Sequence, residues 1–343
     1  MKPKVVWKSS IDGRRNVSAR APVLHGDSVL ASRCYDLEGF YESVLQCLDA
    51  ESGVPRWEFK VRHVGNQPVI SADGAVYWSV FDGNVYAFER DGSPWWKAPG
   101  TGTNVWVPCL LDDGGLVFAE NGGSARRTWC LDASTGAVRW KFENGGHSYA
   151  LAAAGGRVLH TTNREGTKGV TLYCLAADTG SLSWTVSSAE WMFRPRVHRD
   201  VVYVGGRGHL RAYGLADGRL IAAMPIDGNA EVYGLALADE RFYFGDAVGR
   251  LRCVPVLSRA DGGPGFATAW AAQVEGAIEA EPCVVDGCVT FLSKSGLVIA
   301  LDAATGQERR VFNHGKGKDV GGVAAKRDRL YVSHGRDLVC YAC

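Results

Sequence analysis

The sequence predicts an all-β fold, an eight-bladed β-propeller of four-stranded antiparallel blades whose last blade is closed by N- and C-terminal strands. Three observations predict it. One frame recurs along the 343 residues: a small residue, Asp two later, Gly six later and Trp ten later. Upstream of each copy lies a short apolar run, a polar turn and a second apolar run. Glycine (43) and tryptophan (11) are abundant without a collagen period, as expected for many short strands joined by tight turns. Four strands at a period of about 40–45 residues is the signature of a propeller blade.

The copies follow in order. CLDAESGVPRW runs over 47–57, CLDASTGAVRW over 130–140 and CLAADTGSLSW over 174–184. ALDAATGQERR (300–310) has the same frame with Arg310 where Trp would sit. AFERDGSPWW (87–96) is one residue shorter, and AYGLADGRLIA (212–222) carries Ala222 at the Trp position. A seventh copy runs from Arg252 to Trp270 with an insertion. Each reads as strand, tight turn, strand: Asp bonds its own turn backbone and Gly supplies positive φ. The Trp starts the outer strand and packs on a neighbouring unit. Examples of the upstream strand pair are PVISADGAVYWSV (68–80) and PCVVDGCVTFLS (282–293).

The C-terminal segment supplies three strands of an eighth blade and then stops. VVWKSSIDG near the N-terminus resembles VRWKFENGG, with Trp7 in the Trp position. The chain is therefore read as one domain, 1–343, its closing blade formed by about 320–343 plus 3–12. That closure removes an open sheet edge.

Lys+Arg is 38 and Asp+Glu is 37, a net charge of +1. This balance excludes a strongly basic nucleic-acid binder, and no nucleic-acid partner is expected. No apolar stretch of signal-peptide length follows the basic start, and no window approaches 18 apolar residues. A cytoplasmic protein without a membrane partner is expected, monomeric, with its ten cysteines reduced.

These residues resemble the pyrroloquinoline-quinone (PQQ)-type propeller repeat, whose tryptophan-docking frame is Ala-x-Asp-x-x-x-Gly-x-x-x-Trp. The resemblance spans the whole chain. The family includes quinone-dependent alcohol dehydrogenases, with a vicinal Cys-Cys disulfide, a metal site and a catalytic Asp, and scaffold lipoproteins of outer-membrane assembly. This sequence has no adjacent cysteines, so quinone, metal and catalytic Asp are not carried over, and no cofactor is expected.

Cys47, Cys130, Cys174, Cys253 and Cys340 fill the small-residue position of the repeat and read as buried side chains. Cys109 and Cys283 follow prolines in inner strands, where they are expected to line the channel. Cys34 reads as a loop cysteine open to reaction. Cys340 and Cys343 make half of a zinc site at best. The eight histidines show no metal-ligand spacing, and no metal is expected.

In a propeller, ligands are expected at one mouth, on the segments leading into each inner strand and the loops joining second and third strands. The aromatics there are Trp106, Tyr149, Trp191, Phe193 and Tyr233. Candidate ligand-binding residues are Arg20, Trp106, Trp191, Phe193, Arg194, Asp246, Lys294 and Arg336. Candidate catalytic residues are Glu279, Glu281, Tyr149 and Tyr233. Glu279 and Glu281 share a strand face if their segment is extended, and one carboxyl of such a pair would serve as acid or base. The loop at 33–42 is aromatic and is expected to lean over the mouth.

An aromatic arc facing acids and arginines suits a polar organic ligand or a peptide. The leading reading is a binding or scaffold protein that presents this mouth to a small molecule, peptide or protein partner. The alternative is a cytoplasmic propeller lyase, hydrolase or cyclase using the acidic and aromatic residues. A quinone-dependent dehydrogenase ranks last.

Overall fold

The computed structural model describes every residue except 1–2, 12–17, 38, 100–106, 123–124, 164–168, 258–264, 316–319 and 343. Among the described residues the strands form eight antiparallel sheets, each built on four consecutive strand positions. They are the blades of an eight-bladed β-propeller. The chain divides into two compact units of four blades each: 63–225, and 1–62 with 226–343.

In unit 63–225 the blades are sequential hairpins. One example runs His147–Ala154, Arg157–Asn163, Val170–Ala176, Leu182–Ser188. The outer strand alternates because only one face is covered, while the second strand is buried almost throughout. Apolar side chains from adjacent blades meet in shared cores. Val117 and Cys130 of one blade pack with Leu151, Val158 and Leu175 of the next.

In the other unit, the closing blade has the order Val5–Ser10, Asp337–Ala342, Arg329–His334, Val320–Lys326. The N-terminal strand is its outer strand, with Trp7 opposite Cys340 and Ser10 opposite Asp337. The first blade has a divided inner strand, Ser18–Ala19 and Val23–His25, both paired to Ser28–Leu37.

The repeat frame has a mechanical meaning. Trp7, Trp96, Trp140, Trp184 and Trp270 each donate their indole N–H to a carbonyl in the turn of the following blade. The acceptors are Ala50, Ala133, Ala177, Leu215 and Ala303, at 2.8–3.0 Å. Each indole lies on that turn's glycine. At Gly180, with φ +70°, a Cβ would stand 2.5 Å from the Trp140 ring, so glycine is required both for the backbone angle and for the ring's approach. The small-residue position lies directly across from the tryptophan, as Cys130 does from Trp140 and Cys174 from Trp184. It is at most 3% exposed at Cys47, Ala87, Cys130, Cys174, Ala212, Cys253 and Cys340.

Three expectations need correction. The segment 33–42 is no loop: Ser28–Leu37 and Phe40–Asp49 pair in continuous register up to Leu37 and Phe40. Its tip is held by Tyr35 donating to Glu42 and by Arg62 above the Phe40 ring at 5.0 Å. Cys34 sits inside that hairpin and is buried, because the longer strands carry it into the sheet. Cys109 and Cys283 pack against the cores shared by adjacent blades, since the inner strands are short and the thiols turn toward apolar neighbours. The Cys340–Cys343 pair falls partly outside the described residues.

Candidate functional site

Within a blade, antiparallel pairing sends the lead-in segment and the second-to-third connection to one edge. The predicted functional residues that the structure describes belong to this lead-in edge. The other two hairpin turns lie at the opposite edge.

In unit 63–225 the lead-in edge is stitched by amides. Asn121 accepts from the Ser148 backbone N–H at 2.6 Å and donates to its carbonyl at 2.9 Å. Asn144 donates to Ser148 Oγ at 3.3 Å and accepts from Gly146 N–H at 3.2 Å. These buried bonds fix the segment that carries Tyr149. Its ring meets Trp191 of the next blade edge-to-face, with centroids 4.8 Å apart and planes at 82°, a favoured aromatic geometry. The Trp191 carbonyl accepts from Arg207 N–H at 3.2 Å. Phe193 and Arg194 follow on the same half-buried strand, Met192–His198. Burial pushes the Tyr149 phenol up, so it stays protonated at neutral pH. Glu190 is held by Arg211 and lies 3.1 Å from His209 Nδ1. Burial, then Arg211, pushes His209 down. Trp106 lies outside the described residues.

In the other unit the predicted residues are in several places. Glu279 pairs with Lys294 at 2.6 Å, both partly exposed. The strand after them begins only at Cys283, so Glu279 and Glu281 do not share a strand face. The physical reason is that Ile278 N–H bonds to the Asp246 carbonyl at 3.0 Å instead of to a ladder partner. Tyr233 donates to Glu231. Asp246 is fully buried; it accepts from Val248 and Arg250 N–H and forms an ion pair with Arg252 at 2.6 Å. The backbone N–H of Arg20 bonds the Ser32 carbonyl at 3.0 Å. The Arg336 carbonyl accepts from Arg33, a fully buried guanidinium that also bonds the Ser9 carbonyl. Burial lowers Arg33 to about 10.

The structure therefore brings together Tyr149 with Trp191, and Glu279 with Lys294. It commits Asp246 and Tyr233 to intramolecular partners. Among the described residues no group of three or more His, Cys, Asp or Glu is placed to hold a metal ion. Sequence reasoning missed the Asn121–Asn144–Ser148 network, which carries no motif. It also missed an arginine seven residues after the turn Asp, in Arg56, Arg139 and Arg309. Each pairs with that Asp, and the recurring spacing was legible.

This arrangement defines a PQQ-like β-propeller protein. The family model described as outer membrane protein assembly factor BamB matches residues 3–107 and 82–312, and the chain belongs to that family. Outer membrane protein assembly factor BamB of Yersinia pestis is 29% identical over 243 residues, 66% of this chain and 56% of that protein. The chain thus spans little more than half the length of that curated relative. Among solved structures, Chaetomium thermophilum Sqt1 superposes with a TM-score of 0.76 at 15% identity, covering 100% of this chain and 98% of that one. BamB from Moraxella catarrhalis gives 0.61 at 18% identity, covering 81% and 96%. At such identities the structural likeness shows the fold alone.

Proposed function

We propose that this chain is a binding platform that holds a protein or peptide partner on the lead-in edge of its blades, without quinone chemistry. The observation that carries the reading is the Tyr149–Trp191 pair. Two aromatic rings, fixed from behind by the Asn121–Ser148 bonds and flanked by Phe193 and Arg194, are the kind of preorganised anchor that dominates protein interfaces. The commitment of Asp246, Glu279 and Tyr233 to internal partners favours a static surface over acid–base chemistry. Kinship with an assembly factor supports a protein as the partner. A cytoplasmic location remains our proposal, supported by nine free cysteines among the described residues.

Native mass spectrometry of the protein purified from its own host tests this. A partner protein at fixed stoichiometry is expected with the wild type and absent from the Tyr149→Ala/Trp191→Ala double variant. Retention of a small molecule as the sole bound species, or equal partner retention by the variant, overturns the reading.

A further inference from the structure

The repeat frame fails at one junction on both sides at once. The seventh blade carries Arg310, not Trp, across from Ala300. The eighth blade pairs its third strand, Asp337–Ala342, with Val5–Ser10, which is not the next strand in sequence, so among the described residues no Asp-to-Gly turn joins them; Ala342 N–H bonds the Lys4 carbonyl at 2.9 Å. What remains is a pocket of about 430 Å³ between these two blades, at the hairpin edge. Val285, Val298, Ala300, Phe312, Ala325 and Leu330 give it apolar walls. Ala300 is half-buried, whereas the same position is at most 3% exposed in the other seven blades. This volume lies within the usual range of about 300–1,000 Å³ for ligand pockets.

The rim is charged. Arg309 is held by Asp302 and contacts Cys288 Sγ at 3.3 Å, and Asp328 is paired with Arg329. Arg310 and Arg327 are exposed and form no ion pair among the described residues; Asp286 is the other lining carboxylate, and it too forms none among them. Two free cations stand against one free anion.

We propose that this pocket is a docking site for a tryptophan side chain on an acidic segment of a partner protein. The indole occupies the kind of groove that the chain's own tryptophans occupy at five other junctions, and the flanking acids meet Arg310 and Arg327. The site goes beyond the lead-in-edge platform and uses different residues.

A fluorescein-labelled peptide, Asp-Glu-Trp-Asp-Glu, is titrated with the full chain and followed by polarisation. Saturable binding is expected, weakened about tenfold or more when the peptide's Trp becomes Ala, as for an anchor residue. The Arg310→Trp variant, which fills the groove from within, is expected to lose the peptide and keep its melting temperature. In the wild type, the Trp peptide is expected to slow alkylation of Cys288, a wall residue, and the alanine peptide is not. The Tyr149→Ala/Trp191→Ala variant is expected to bind the peptide normally, which separates this site from the platform. Absence of saturable binding, equal binding of the alanine peptide or of a Lys-Arg-Trp-Arg-Lys peptide, or unprotected Cys288 overturns the proposal. So does concentration-dependent dimerisation that Arg310→Trp abolishes, which would make a second copy the occupant.

Discussion

Asp132 organises a whole turn with one carboxylate. Its Oδ1 accepts from the backbone N–H groups of Ser134 at 3.0 Å and Thr135 at 3.1 Å, and its Oδ2 pairs with Arg139 at 2.7 Å. Arg139 reaches on to Asp113 at 3.1 Å, tying the blade's two outer turns together. Asp49 and Asp302 repeat the arrangement. Bonds from Ser52 and Arg56 hold Asp49 at about 2; Arg309 and Thr305 hold Asp302 at about 2; the Ser134 hydroxyl and Arg139 depress Asp132 further. Unfolded, each returns to about 3.9. A depressed folded value stabilises the fold above the unfolded value and is lost as pH falls through the folded one. Melting temperature should therefore fall between about pH 4 and pH 2, a loss that scanning calorimetry would register. Asp132→Ala removes the turn's two backbone bonds and the two from the Ser134 and Thr135 hydroxyls, and should cost about 1–2 kcal/mol in urea. Asp132→Asn keeps acceptors and should cost under about 1 kcal/mol, because the ion pair is partly exposed. Equal costs would show that charge, not turn geometry, matters.

At the scale of one strand, Val5–Ser10 decides whether the last blade has an edge. It pairs with Asp337–Ala342 and inserts Trp7, only 8% exposed, onto the Ala50 carbonyl and Gly53 of the first blade. Trp7→Ala should cost about 3–5 kcal/mol. Deleting residues 1–10 should leave an unpaired strand and give aggregation or non-cooperative melting; a truncated chain that melts like the intact one would refute the closure. This strand was legible in the sequence because Trp7 sits in the repeat frame. The same frame made the turn glycines and small residues legible. The long hairpin at 28–49 was not, because its polar and aromatic tip matches a loop by composition and gains its order from Tyr35–Glu42 and Arg62–Phe40 contacts. Nor was the fate of Glu279 and Glu281 legible: a backbone bond from Ile278 to Asp246, 32 positions away in sequence, decides it. The candidate site was readable as a set of lead-in residues, but not as pairs, since nothing local says that Tyr149 meets Trp191.

Over the whole molecule the cysteines report which regions open. Five fill the small-residue position in five different blades, all buried. Burial pushes Cys109 and Cys130 up to about 12 and Cys174 to about 11. The thiolate is the reactive form, so at pH 8 Cys130 and Cys174 are doubly protected, by access and by protonation, and Cys109 by protonation. Cys288 is half-exposed at a hairpin turn. Iodoacetamide mapped by mass spectrometry should therefore label Cys288 first among the described cysteines. The buried five should react only with unfolding. Cys130 lies in the core that its blade shares with the next one, and Cys174, on that next blade, lies in the core shared with the blade after it, all in one unit. They should become reactive at one urea concentration, because opening either blade strips the face of its neighbour. Cys253 and Cys340 give the corresponding readout for the other unit. Separate midpoints for Cys130 and Cys174 would mean that single blades unfold alone, and that the indole contacts from Trp140 and Trp184 do not make the unit cooperative.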